Sequence, residues 1–143
     1  MQPPEEIAKE LVRQWVAKAE KDFRLAEHLL AEQAPYWEAI GFNCQQAAEK
    51  YLKALLTLRQ VSFPKTHNLG ELLDLVTTVD ASLAGSLREI TVLNPYAVGY
   101  RYPADFPEVT AEDAREAFEL AARVRAAVLP VVEVCLGQKG VGP

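Results

Sequence analysis

Four groups of residues have the types and spacing to do chemistry. The first is a polar stripe, Asn43, Gln46, Glu49, Lys50, Lys53 and Thr57, which recurs at three- and four-residue steps. At about 100° per residue this spacing gathers the side chains on one edge of a helix. Glu49 and Lys53 stand at the i, i+4 spacing of a helical ion pair. The stripe has two readings, a solvated face or a groove whose lysines meet a phosphate or a partner's carboxylate while the amides fix its orientation. The second is Asp22, set among Trp15, Ala19, Ala26 and Leu29 on the inward edge of a helical pattern. A carboxylate there needs a cationic or N–H partner, and Lys50, Lys53 and Arg101 are the candidates. It is either an ion pair fixing two helices together or a working acid.

The third is His67, at the start of a helical pattern in Lys65-Thr66-His67-Asn68-Leu69. It is either a structural hydrogen-bonder or a general base. His28 falls on the outer side of its helix, and two distant histidines without a third ligand at a helical step make no zinc site. The fourth is Tyr100-Arg101-Tyr102-Pro103. Aromatics flanking an arginine suit a guanidinium held by stacking and aimed at a carboxylate or phosphate. The competing reading has Arg101 neutralising Asp22 or capping a helix. Phosphate loops, dinucleotide fingerprints, nucleophile elbows and metal-protease helices are all missing from the sequence.

Five helical segments must position these groups. Apolar residues recur at helical steps from about Glu5 to Glu32 (Leu11, Val12, Trp15, Ala19, Phe23, Ala26, Leu30), and Pro35 stops the run. A second helix is expected from Tyr36 to Arg59. A third begins near Asn68, whose side chain caps it while Glu71 reaches back in a capping box. A fourth covers about Ala81 to Leu93 and ends at Asn94-Pro95, because the residue before proline avoids helical geometry. The stretch from Tyr96 to Val109 reads as a long aromatic loop. A fifth helix opens at Thr110 with Asp113 three residues on and continues to about Leu136, with Pro130 expected to kink it or end it early. Strand-like alternation and internal repeats do not occur. The expected fold is therefore an all-α, up-and-down bundle of about five helices in one domain over residues 5–137, with a frayed tail at 138–143.

Composition narrows the function. Half of the 143 residues are apolar, about a quarter are charged, and the net charge is −5. This balance is globular and argues against gripping nucleic acid by bulk electrostatics. No run approaches the ~18 apolar residues of a membrane span, and the acidic first ten residues lack a signal core. Cys44 and Cys135 are isolated and read as thiols in a reducing compartment, so a cytoplasmic location is expected.

Trp15 to Leu30 (WVAKAEKDFRLAEHLL), Asn43 to Leu56 (NCQQAAEKYLKALL), Thr66-His67-Asn68-Leu69 and Arg101-Tyr102-Pro103 stand in the order of the blocks of a prokaryotic HEPN domain, which the chain resembles over about residues 7–132. The resemblance implies a bundle similar to the C-terminal domain of kanamycin-type nucleotidyltransferases. It implies homodimers or larger assemblies, pairing with a small separate nucleotidyltransferase, sometimes as a toxin–antitoxin couple, and a nucleotide-binding role. The positions matching the family pattern are Asp22, Gln46, Glu49, Lys50, Lys53, His67, Arg101 and Tyr102. One departure matters. Ribonuclease members carry an arginine, four to six residues, then histidine, whereas Arg24 precedes His28 by three intervening residues and Arg59 precedes His67 by seven. Leu69 also stands where adenylylated toxins carry a tyrosine two residues after that histidine.

The expectation is a non-catalytic subunit that binds a nucleotide or phosphate through Asp22, Asn43, Gln46, Glu49, Lys50, Lys53, His67, Arg101 and Tyr102. A nucleotidyltransferase partner would supply transfer chemistry, with no metal and no cofactor beyond the nucleotide. One alternative is a metal-independent ribonuclease, with His67 as base and Arg101 or Lys53 steadying the phosphate across a dimer interface. The other is a purely structural oligomerisation module.

Overall fold

The computed structural model describes residues 4–33, 35–97 and 108–137. Among these, every regular element is helical: α1 (Pro4–Ala31), α2 (Trp37–Leu58), α3 (Leu69–Thr77), α4 (Ala81–Ser86), a 3-10 helix (Arg88–Ala97) and α5 (Ala111–Leu136). Glu5 and Glu6 in the first turn of α1 complement the helix dipole.

The apolar stripes meet around α2. Val12, Ala19, Phe23 and Ala26 of α1, Ile40, Cys44, Ala48, Tyr51, Leu52 and Leu55 of α2, and Ala117, Leu120, Ala121, Val124 and Val128 of α5 are buried together. Asp22 faces Lys50 and Glu20 faces Tyr51, so α1 and α2 run antiparallel. Phe23 stacks on Phe118 at 4.9 Å and Glu20 meets Arg125, so α1 also opposes α5. The direction of α2 is therefore repeated by α5. The segment from α3 to the 3-10 helix makes the return between them, which completes the up-and-down order.

Three local details depart from the sequence expectation. Asn68 does cap α3, accepting from Gly70 and Glu71 N–H, but its own N–H donates to Thr66 Oγ1 at 3.0 Å, and Glu71 bonds the Thr66 hydroxyl. The reciprocal arm of the capping box is thus taken by threonine. The fourth helix closes after Ser86, and the chain continues as a 3-10 helix through Asn94-Pro95 to Ala97. Pro95 lies inside this segment, whose bonds run three residues back and not to the carbonyl four back with which a proline ring clashes in an α-helix. In α5, Pro130 does not end the helix, which runs on to Leu136 and closes at Gly137 with φ +77°. The capping box of Thr110 and Asp113 forms as the spacing predicts. No helix among the described residues is long and apolar enough to cross a membrane.

Candidate functional site

Helix α2 carries the site because both flanks of its polar stripe are covered by other elements. On one flank Lys50 Nζ lies 2.6 Å from Asp22 Oδ2 of α1, with about a fifth of each side chain exposed. Of the two lysines open to Asp22, the fold selects Lys50. On the other flank, the segment after α2 returns across Glu49 and Lys53, which are 3% and 6% exposed.

Glu49 is the hub. Its Oε1 accepts from Gln45 Nε2 at 3.1 Å and lies 3.0 Å from His67 Nδ1, while its Oε2 accepts from Lys53 Nζ at 2.9 Å. Burial pushes the Glu49 carboxyl up, but hydrogen bonds from Lys53, His67 and Gln45 outweigh it and hold the group below the usual carboxylate range. The Lys53 ammonium also sits over the faces of Trp15 and Phe63, at 5.4 and 5.8 Å from the ring centroids. Two aromatic quadrupoles and one carboxylate thus replace its water.

The imidazole of His67 is the outward end of this network. Its side chain is 65% exposed although the carboxylate beneath it is 4% exposed. An ionised carboxylate only accepts hydrogen bonds, so Nδ1 carries a proton, and whenever the ring holds a single proton the lone pair is left on Nε2. Gln45 pins the backbone as well, because its Nε2 donates to the His67 carbonyl at 3.0 Å. Gln45 was not singled out from sequence. It is fully buried, and a buried amide beside a buried glutamate signals a network, since each must find partners. Gln46 is half-buried and donates to Gln45 Oε1 at 2.7 Å. Asn43 turns back to its own helix and donates to Ala39 O at 2.9 Å.

The amino end of α3, next to His67, is closed. Leu69 N–H donates to Asn94 Oδ1, and Gly70 and Glu71 N–H donate to Asn68 Oδ1. An anion arriving here meets the imidazole, not free helix N–H groups.

The structure thus joins Gln46, Glu49, Lys53 and His67 in one network, with Asp22–Lys50 as a separate ion pair on the opposite flank of α2. Arg101 and Tyr102 lie outside the described residues. Lys53, the cation invoked with His67 for ribonuclease chemistry, shares Glu49 with the ring but is sealed beneath aromatics. Among the described residues no group of three His, Cys, Asp or Glu side chains has the geometry to hold a metal. A hollow of about 220 Å³ between the 3-10 helix and α5, lined by Val92, Tyr96, Glu108, Asp113 and Leu120 among others, includes none of the network residues.

A second polar junction was missed from sequence. Tyr51 hydroxyl bonds Glu20, whose two oxygens also accept from Arg125 Nε at 2.6 Å and Nη2 at 3.1 Å. The Arg125 bond, against the opposing pull of burial, holds the Glu20 carboxyl below its usual range. Burial and Glu20 push the Tyr51 phenol up. The available signal was a tyrosine at a core position, whose hydroxyl must find a partner. This junction ties α1, α2 and α5.

The HEPN domain model matches residues 12–131. The crystal structure of TT1696 from Thermus thermophilus is similar at a TM-score of 0.67 and 29% identity, covering 83% of this chain and 96% of that one. An archaeal HEPN homologue, ST0689, is similar at a TM-score of 0.64 and 26% identity, covering 85% and 97% of the two chains. No curated protein matches the chain. With its helical bundle and a family match that spans most of its length, the chain belongs to the HEPN domain family.

Proposed function

We propose that this HEPN chain is a non-catalytic binding subunit that presents His67 to a phosphate-bearing ligand, a nucleotide by class, while a separate nucleotidyltransferase supplies transfer chemistry. The observation that carries the reading is an exposed imidazole held at the surface by a buried, fully bonded carboxylate. A ring needed only for packing would not combine two-thirds exposure with a buried, bonded foundation beneath it. Nε2 accepts from a ribose hydroxyl when the ring is neutral. Once protonated it donates to a phosphoryl oxygen, with Glu49 compensating its charge. Gln46, half-buried beside the network on α2, stands ready to orient the rest of the ligand. The toxin–antitoxin role is part of this proposal. So is a homodimer, which would cover exposed apolar residues such as Leu25 and Phe42, each more than 40% exposed.

Titration calorimetry with nucleoside mono- and triphosphates tests the reading, with the chain alone and with a separate minimal nucleotidyltransferase added. Binding heat that His67→Asn abolishes is the expected result. Absence of heat in both settings overturns it.

One observation favours a second reading, an oligomerisation scaffold. Lys50 and Lys53 are each matched by one carboxylate, Asp22 and Glu49. On that reading Lys50→Ala lowers the melting temperature and changes no binding isotherm.

A further inference from the structure

We propose that His67 Nε2 is a phosphoryl acceptor: the Glu49–His67 couple is built as a nucleophile that takes a phosphoryl group from a nucleoside triphosphate and holds it as phosphohistidine. The proposal rests on the nucleotide-binding reading for the identity of the donor alone, and it departs from the non-catalytic part of that reading, since here the chain itself accepts a phosphoryl group. The nucleophile follows from the couple's own geometry.

A nitrogen nucleophile needs a free lone pair, an accessible approach and a sink for the positive charge the ring gains. The bond between Nδ1 and Glu49 Oε1 at 3.0 Å puts the lone pair on Nε2. The side chain is 65% exposed, so a donor in solution can approach the ring. The Glu49 carboxylate receives the developing charge through Nδ1–H, as the orienting acid of a nucleophile–base pair does. Lys53 and Gln45 bond the same carboxylate and keep it ionised and fixed. Other nucleophiles nearby lack one of these conditions. Lys50 and Lys53 are tied to carboxylates, the Cys44 thiol is buried, and the Tyr51 hydroxyl is bonded to Glu20.

In the step, the Nε2 lone pair forms an N–P bond to the γ-phosphorus. The P–O bond to the nucleoside diphosphate breaks, and the diphosphate leaves with the electron pair. The Nδ1 proton stays between the ring and Glu49.

Phosphoramidate, a small phosphoryl donor that requires no nucleotide site, tests the nucleophile directly on the whole chain. The built-in reference is His28, an exposed ring on α1 with no carboxylate bonded to it among the described residues. Intact-mass measurement in alkali and phosphorus NMR read the rate, the residue and the ring isomer. His67 is expected to react roughly ten- to a hundred-fold faster than His28, the weight a carboxylate partner carries where the imidazole is a metal ligand. The product is expected to be the Nε2 isomer, and Glu49→Gln should bring the rate down to that of His28. Equal rates at the two histidines, or the Nδ1 isomer at His67, overturn the proposal. The comparison within the unmodified protein decides the matter even where Glu49→Gln fails to fold. Nucleotide heat without preferential labelling overturns this proposal and leaves the binding reading standing. Fast labelling without nucleotide heat supports the nucleophile and removes the nucleotide.

Discussion

Replacing Glu49 by glutamine should cost far more than breaking the other ion pair of α2. The two oxygens of Glu49 accept three hydrogen bonds from Gln45, His67 and Lys53. Glutamine has one acceptor oxygen and an NH₂ group, so one orientation turns that NH₂ toward Lys53 and the other toward Gln45 and His67. The Lys53 ammonium, 8% exposed at its side chain, then has no anion. Leaving one member of a buried pair uncompensated costs about 3–5 kcal/mol. For a chain of this length each kcal/mol lowers Tm by about 3 °C, which makes a fall of roughly 10 °C or more. Asp22→Asn removes the partner of Lys50, where a fifth of each side chain meets water, and should cost no more than about 1 kcal/mol. Urea unfolding at pH 7 measures both variants. The wild-type contribution of Glu49 also has a definite pH sign. A carboxyl held below its unfolded value stabilises fully above that value and loses its contribution as the pH falls through the lower folded value. The gap between wild type and Glu49→Gln should therefore persist at pH 7 and close in acid, below about pH 4. Equal losses for Glu49→Gln and Asp22→Asn, or a gap that widens in acid, would refute the reasoning.

Three further outcomes follow from the same structure. Burial pushes the Cys44 thiol up to about 12 while Cys135 is exposed, so a maleimide should label one thiol of the native chain quickly and two in denaturant. Arg125→Gln should cost about 1–2 kcal/mol at neutral pH by breaking a two-pronged bond to Glu20. That loss should shrink as acid protonates Glu20, whose carboxyl is held low mainly by Arg125. Gln60 ends α2 at φ +57°, with its N–H on Thr57 O and the Val61 N–H on Leu56 O. This is a left-handed helix-ending turn that favours glycine, so Gln60→Gly should raise stability by up to about 1 kcal/mol in thermal melts.

The three long helices were legible because their apolar residues repeat at helical steps and their ends carry caps or breakers. Asn68, Thr110 and Asp113 do what their spacing predicts. The 3-10 segment was not legible, since tight and ordinary helices share residue preferences and the proline rule that ends one is tolerated in the other. The stripe on α2 was found, but its nature was not. Helical phase puts Glu49 and Lys53 on one edge of α2, yet only the path of the chain after α2 decides whether that edge is covered. That path brings His67 down onto Glu49. Sequence separates these two residues by 18 positions, and only tertiary contact couples them. Gln45 and the Glu20–Tyr51–Arg125 junction stayed hidden for a related reason. A buried polar side chain identifies itself by its partners, and neither the His67 carbonyl that Gln45 bonds nor the α1 and α5 partners of Tyr51 have a fixed spacing to α2.

Long-range ¹H–¹⁵N correlation of the imidazole nitrogens tests the central claim most directly, because it reads the protonation of each ring nitrogen at each histidine. The network requires His67 to carry its proton on Nδ1 and to leave Nε2 bare in the neutral ring. Addition of a nucleoside triphosphate should then move the Nε2 resonance of His67 and leave His28 in place. A proton on Nε2, or a His67 signal that ignores the nucleotide while the His28 signal follows it, would contradict the claim that Glu49 holds this ring for a ligand.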